Sequence, residues 1–293
     1  MKLKDVVQIA VLTVRCGRRP LTDMSIHNLP IGVFDSGIGG LTVLKALAET
    51  LPRESFLYLG DTARLPYGTK SAKSVTRYAL QTTALLHRRG VKMLVIACNT
   101  ATAVSLAALR EAYPGLPVVG VIRPGAEAAC RASRNGRIGV IGTESTVNGR
   151  SYEREILRIR PEASVFATPC PLFVSLAEEG WCDGPIVELA ARRYLESMFR
   201  DTGIDTLVLG CTHFPALSAT IAQVAGPDIR LVDSARTTAL FVRDLLSSQR
   251  LCSTASRRSL TFLATDGAER FARVGGVFMG APMSPANVEI VDL

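Results

Sequence analysis

This chain has little of what metal and redox sites are built from. Of 293 residues only three are histidine, at positions 27, 87 and 213. Its seven cysteines contain no C-x-x-C, and Cys170 and Cys182, the nearest pair, lie twelve apart. A zinc site needs more ligands at closer spacing, so no metal is expected. An odd cysteine count without scaffold spacing argues against a disulfide framework and for a reducing, cytoplasmic setting. Long apolar runs are missing too, and nothing approaches the roughly 18 residues of a membrane-spanning helix. The N-terminal VVQIAVLTV is short and is followed by Arg15, Arg18 and Arg19 without a cleavage site, which makes a poor signal peptide. Runs of basic residues are absent as well. The net charge of +8 is dispersed, with arginine pairs at 18–19, 88–89, 192–193 and 257–258. Such a charge attracts anions. With no nucleic-acid-binding signature beside it, a solvated surface is the better reading.

What the chain does have is rhythm. Near-continuous apolar runs at 29–34, 55–60, 91–97, 116–122, 136–142, 163–169, 205–210 and 260–266 read as strands buried on both faces. Helical stretches at 41–50, 71–89, 101–112, 183–201, 214–225 and 234–248 separate them, which predicts an α/β fold with mainly parallel sheets flanked by helices. In such folds chemistry is sought in the loops beyond the strands' carboxyl ends.

Those loops repeat. MLVIACNTATAVSLAALR (93–110) aligns with TLVLGCTHFPALSATIAQ (206–223), so Cys98 and Cys211 match at an offset of 211 − 98 = 113. IGVFDSGIGG (31–40) aligns with IGVIGTESTV (138–147), setting Asp35-Ser36 opposite Gly142-Thr143 at an offset of 138 − 31 = 107. Two pseudo-symmetric units follow.

Each of the two matched cysteines follows a strand, so first-turn helix amides are expected to point at its sulfur and favour thiolate. Lowering a thiol pKa from about 8.5 to about 7 takes roughly 2 kcal/mol. A helix terminus gives typically about 0.3–1 kcal/mol. Neighbouring donors such as Asn99, Thr212 or His213 should therefore contribute. A Cys–His acyl-transfer pair remains open, but it leaves the second thiol idle. Pyridoxal phosphate would need a lysine in a recognisable setting, and none is seen. Two matched thiols suit a racemase, in which one base takes a proton from one face of a carbon and the other returns one to the opposite face. DSGIGG (35–40) matches neither dinucleotide fingerprint nor P-loop, yet its glycines would let amides approach an anion such as a carboxylate. PYGTKS (66–71) reads as a turn leading to Ser71 as a helix N-cap.

Taken in order, FDSGIGGLTVL, GDTARLPYG, ACNTATA, GVIGTESTV, CPLFVSLAEEG, GCTHFPAL and LVDSA resemble glutamate racemase over about residues 29–266. The resemblance implies an isomerase that interconverts L- and D-glutamate without cofactor and supplies D-glutamate for peptidoglycan. It further implies two domains facing across a cleft that holds the active site: 29–124 with 235–293, carrying Cys98, and 125–234, carrying Cys211. Carried over by position, Cys98 and Cys211 are the proton donor/acceptors, for the D-face and the L-face respectively. Asp35 lies beside the first thiol and His213 beside the second, with Glu178 as an assisting carboxylate (Glu179 is the alternative register). Asp35, Ser36, Tyr67, Gly68, Asn99, Thr100, Thr212 and His213 resemble the substrate-binding set, and Asp61 a supporting acidic position. An aspartate- or hydantoin-type racemase is the alternative, and a regulatory protein that binds DNA gyrase is another. Expected partners are the two glutamate enantiomers and a second copy in a homodimer. Residues 1–28 read as an extension, expected to be mobile, or as an upstream start ahead of Met24. Longer N-termini resemble the branch activated by the precursor UDP-N-acetylmuramoyl-L-alanine.

Overall fold

A computed structural model describes residues 26–256 and 258–293, so most of the expected N-terminal extension, Met24 included, lies outside the described residues. The strands are β1 (Ile31–Asp35), β2 (Phe56–Gly60), β3 (Met93–Ile96), β4 (Val118–Gly120), β5 (Arg137–Gly142), β6 (Ser164–Pro169), β7 (Thr206–Gly210), β8 (Arg230–Asp233), β9 (Leu260–Ala264) and β10 (Val288–Ile290). They form two sheets, ordered β10-β9-β2-β1-β3-β4 and β6-β5-β7-β8. Every pairing is parallel. Without β9 and β10 both sheets read second, first, third, fourth, which is the same unit twice. The motif offsets of 107 and 113 residues record that duplication in the sequence.

Parallel strands bury both faces, and β1, β2, β3 and β7 are buried throughout. Their cover comes from α1 (Leu41–Thr50), α2 (Ala72–Arg88), α3 (Asn99–Ala112), α4 (Ile122–Ala132), α5 (Glu144–Asn148), α6 (Ser151–Ile159), α7 (Leu172–Glu178), α8 (Pro185–Thr202), α9 (Ser218–Ala225), α10 (Ser234–Ser248) and α11 (Ala268–Met279). Ser71 caps α2 by accepting from the Ser74 amide, as its position predicts. Two local expectations are corrected. The strand expected over 116–122 keeps only Val118–Gly120, because Ile122 already starts α4. Pro124 and Gly125 disguise that helix, although proline costs nothing in a first turn, where its amide would be unpaired. The helix expected over 214–225 is a 3-10 turn, Phe214–Leu217, followed by α9. The expected division points at 124/125 and 234/235 fall within the first turns of α4 and α10, and α10 packs on both α1 and α4.

A buried ion pair ties the start of the described chain to the segment before β9. Lys92 Nζ lies 2.6 Å from Glu54 Oε2 and donates to the carbonyls of His27 at 2.5 Å and Leu251 at 2.8 Å. Glu54 Oε1 accepts from the Ser253 amide at 2.7 Å. Removing one partner of such a pair strands the other charge without water. Lys92→Met should therefore lower the unfolding free energy by about 3–5 kcal/mol, as measured by urea denaturation. A loss below about 1 kcal/mol would contradict this account of the pair.

Candidate active site

β1 and β5 each sit between two strands of their own unit, so each sheet has a switch point where adjacent loops diverge. The loops leaving β1 and β3 bring Ser36 and Cys98 to a cavity of ≈ 270 Å³; those leaving β5 and β7 bring Thr143 and Cys211 to the same cavity. This is below the roughly 300–1,000 Å³ of pockets for drug-sized ligands and suits a smaller molecule. Of the residues singled out from the sequence, Ser36, Tyr67, Gly68, Cys98, Asn99, Thr100, Cys211, Thr212 and His213 line it. Asp35 and Glu178 do not. Asp35 is fully buried beneath the floor, and Glu178 stands behind His213. The wall also holds Pro66, Thr69, Thr143, Glu144, Pro171, Val174 and Ser175, which sequence reasoning did not single out. Thr143 had a signal, since the repeat sets it opposite Ser36.

Cys98 occupies the N-cap of α3, where its sulfur accepts from the Ala101 amide at 3.4 Å and its thiol donates to Ser36 Oγ at 3.6 Å. These contacts do not make it a thiolate. Burial, helped by the negative charge of Asp35, pushes the thiol up to about 12, against the donors that were expected to lower it. Asp35 is itself raised by burial, opposed by the charge of His213 and by amides of the glycine loop. Its Oδ2 accepts from the Gly37 amide at 3.0 Å, while Oδ1 has no partner among the described residues.

Cys211 is held differently. The turn at 211–213 runs into the 3-10 helix, so the expected α-helical N-terminus at this thiol is absent. Its partner is His213, with Sγ···Nδ1 at 3.8 Å. His213 Nε2 meets Glu178 Oε1 at 3.1 Å, and Arg270 donates to the other oxygen, Oε2, at 2.8 Å. Burial opposes a charged imidazole, but hydrogen bonds to Cys211 and Glu178 outweigh it and raise His213 to about 10. Burial likewise works to raise Glu178, yet the bonds to His213 and Arg270 leave it lowered. Of the two candidate registers, Glu178 makes this contact, while Glu179 is exposed at the end of α7.

Close packing requires two glycines of the loop. A Cβ on Gly39 would lie 2.5 Å from His213 Cε1, and one on Gly40 2.4 Å from Asp35 Cβ. Contacts across the cavity join elements around the two sheets. Thr42 Oγ1 donates to the Thr212 carbonyl at 2.8 Å, Thr100 Oγ1 meets Thr143 Oγ1 at 3.0 Å, and Tyr152 donates to Asn99 Oδ1 at 2.8 Å. Asn99 Nδ2 is left buried without a partner among the described residues, a donor beside the cavity. Asp61 accepts from Arg64, Thr265 and Tyr67, anchoring Tyr67 in the wall. Among the described residues no group of three or more His, Cys, Asp or Glu is placed to hold a metal ion. No described helix is long and apolar enough to cross a membrane.

Most of the chain is similar to known proteins. A family model described as Asp/Glu/Hydantoin racemase matches residues 31–242. The chain is 49% identical over 254 residues to a glutamate racemase of Geobacter metallireducens, covering 86% of this chain and 93% of that one. The crystal structure of glutamate racemase from Francisella tularensis in complex with D-glutamate superposes with a TM-score of 0.84 at 40% identity, covering 91% and 98%. That of the Escherichia coli glutamate racemase, in complex with L-glutamate and the activator UDP-MurNAc-ala, gives 0.72 at 31% identity, covering 90% and 98%.

With its thiol raised to about 12, Cys98 is a poor nucleophile near neutrality. Its alkylation by iodoacetamide should climb about tenfold per pH unit between about pH 8 and about pH 10, because the thiolate fraction does so below the pKa. Peptide mass spectrometry at each pH measures this, and a plateau below about pH 9 would contradict the raised thiol.

Proposed function

This chain belongs to the aspartate/glutamate/hydantoin racemase family and is an isomerase, and from that premise we propose that it interconverts L- and D-glutamate through its two cysteines. The observation that carries the proposal is that Cys98 and Cys211, matched by an internal repeat, line one small cavity from two different sheets. The thiolate of Cys211 takes the Cα proton of L-glutamate, and the electron pair stays on Cα beside the carboxylate. The Cys98 thiol then delivers its proton to the opposite face, leaving D-glutamate and a Cys98 thiolate. The reverse reaction exchanges the roles.

The surroundings of the thiols fit those roles. Cys98, raised to about 12, holds its proton until a carbanion needs it. His213, raised to about 10, is an imidazolium at neutral pH and offsets charge at Cys211 during transfer. Asp35 acts from beneath Cys98, and Glu178 acts through His213. Ser36, Tyr67, Gly68, Asn99, Thr100 and Thr212 are read as the substrate contacts, with Thr143 added to them. Among the described residues no lysine or arginine lines the cavity, so hydroxyls and amides are read as taking most of the carboxylate recognition. To this reading belong a cytoplasmic location, D-glutamate supply for peptidoglycan, and response to a UDP-linked precursor like that bound by the E. coli relative.

Circular dichroism on L-glutamate and L-aspartate in parallel tests the substrate, and rotation should decay only with glutamate. Cys98→Ala and Cys211→Ala should each lower racemization by at least about 10²–10⁴-fold, the usual share of a positioned acid or base. In deuterium oxide each variant should retain solvent exchange at Cα from only the enantiomer facing its remaining thiol. Near wild-type racemization by either variant would sink the two-thiol reading.

A further inference from the structure

We propose that Arg270, reaching from α11, is a positioning residue for the Cys211 side of the site: it holds Glu178 in the orientation that engages His213. The inference rests on the racemase reading and extends it to a residue outside the cavity. The geometry is a relay of contacts. Arg270 Nη2 binds Glu178 Oε2 at 2.8 Å, Glu178 Oε1 meets His213 Nε2 at 3.1 Å, and His213 Nδ1 faces Cys211 Sγ at 3.8 Å. With one carboxylate oxygen fixed by the guanidinium, the other has a single direction left to it, toward the imidazole. An acid or base oriented by a third group is how such relays are held.

Three features separate this contact from an ordinary surface ion pair. Its acceptor is not a surface group, since the Glu178 side chain is only 13% exposed, against 46% for Arg270. Arg270 also stands in the first turn of α11, where the helix dipole disfavours a cation, so local structure does not explain its place and Glu178 does. The same helix touches the pair again lower down. The Phe278 ring meets that of His213 edge-on, with centroids 5.4 Å apart. α11 packs on α1 and β10, beside the six-stranded sheet, whereas His213 and Glu178 follow β7 and β6 of the other sheet. Gly275 keeps α11 close to the start of α1, since a Cβ there would lie 2.8 Å from Leu41 Cδ1. Arg270 thus makes the Cys211 machinery depend on how one half of the molecule sits against the other. The groups that face His213 are Cys211 and Thr212 from its own turn, Asp35 from the end of β1, and Glu178 from α7, with Arg270 behind Glu178.

The test uses the full chain with Arg270→Gln, Arg270→Lys and, as a control, Arg273→Gln at an exposed position of the same helix. Two enantiomers have equal free energy in water, so kcat/KM must stay equal in the two directions for every variant. Asymmetry has to be read from primary isotope effects with 2-deuterated L- and D-glutamate. Arg270→Gln should lower kcat by about 10–100-fold, the scale on which orienting partners act, with KM little changed. The isotope effect should rise with L-glutamate, whose proton Cys211 removes, and fall with D-glutamate. Once Glu178 is free to turn to solvent, His213 gives up its proton more easily, so the alkaline limb of kcat/KM should move to lower pH. Arg270→Lys should restore most of each effect, and Arg273→Gln should match wild type. Isotope effects unchanged in both directions, or an alkaline limb that stays put or moves up, would overturn the proposal even if the variant is thermally weaker. If the wild-type chain leaves both glutamate enantiomers untouched, the racemase reading fails first. The pH profile of Cys211 alkylation by iodoacetamide then decides Arg270 alone: a shift in Arg270→Gln supports it, and an identical profile overturns it.

Discussion

Exclusion of water from the ends of β3 and β7 acts on four ionisable groups around this site. Burial is the largest influence on Asp35, Cys98, Glu178 and His213 alike, and what distinguishes them is the compensation each receives. Around Cys98 the compensation is small, because the nearest charge is another anion, and the thiol stays protonated. Around His213 two hydrogen-bonding partners reverse the effect and a cation persists. One apolar setting therefore yields an acid on one side of the cavity and a cation-supported thiol on the other. This follows from the rule that desolvation penalises whichever form is charged unless a partner is fixed beside it.

The sequence made the scaffold legible because parallel strands leave a strong trace. Runs such as MLVIAC and TLVLGC announce buried strands, and their pairing across 113 residues announces the duplication before any sheet order is known. The thiols were legible for the same reason, since both end such a run. Asp35 could be picked out from its motif but not placed, because nothing in DSGIGG distinguishes a carboxylate in the wall from one beneath the floor. The glycines were legible as glycines, yet the contacts that require them, with His213 and Asp35, are tertiary. Arg270 had no local signal at all. Its partner lies 92 residues earlier, and an arginine in a helix otherwise reads as a solvated face. Cys211 misled because a strand followed by Thr-His-Phe-Pro suggests a helix cap, whereas the chain first makes a turn there.

The geometry of this site depends on contacts that cross between elements of the two sheets rather than on either unit alone. Thr42 with the Thr212 carbonyl, Tyr152 with Asn99, and Thr100 with Thr143 each place a residue of one thiol's loop under the control of the opposite side. Each is a modest hydrogen bond, worth about 0.5–1.5 kcal/mol net. Their value is geometric, because in the proposed reaction one thiol removes a proton while the other supplies one, and both must be held at once.

The duplication is not carried to the end of the chain. Beyond the matched strands only the first sheet gains β9 and β10, and α11 between them reaches the Cys211 side, where Phe278 meets the ring of His213. The two halves of a pseudo-twofold, already chiral site are thereby made unequal in their electrostatics. Mirror-image ligands that are indistinguishable in water become diastereomeric complexes of different stability once enclosed here. Nothing in the tail alters the free energies of the two in water, so the equilibrium in solution stays at one.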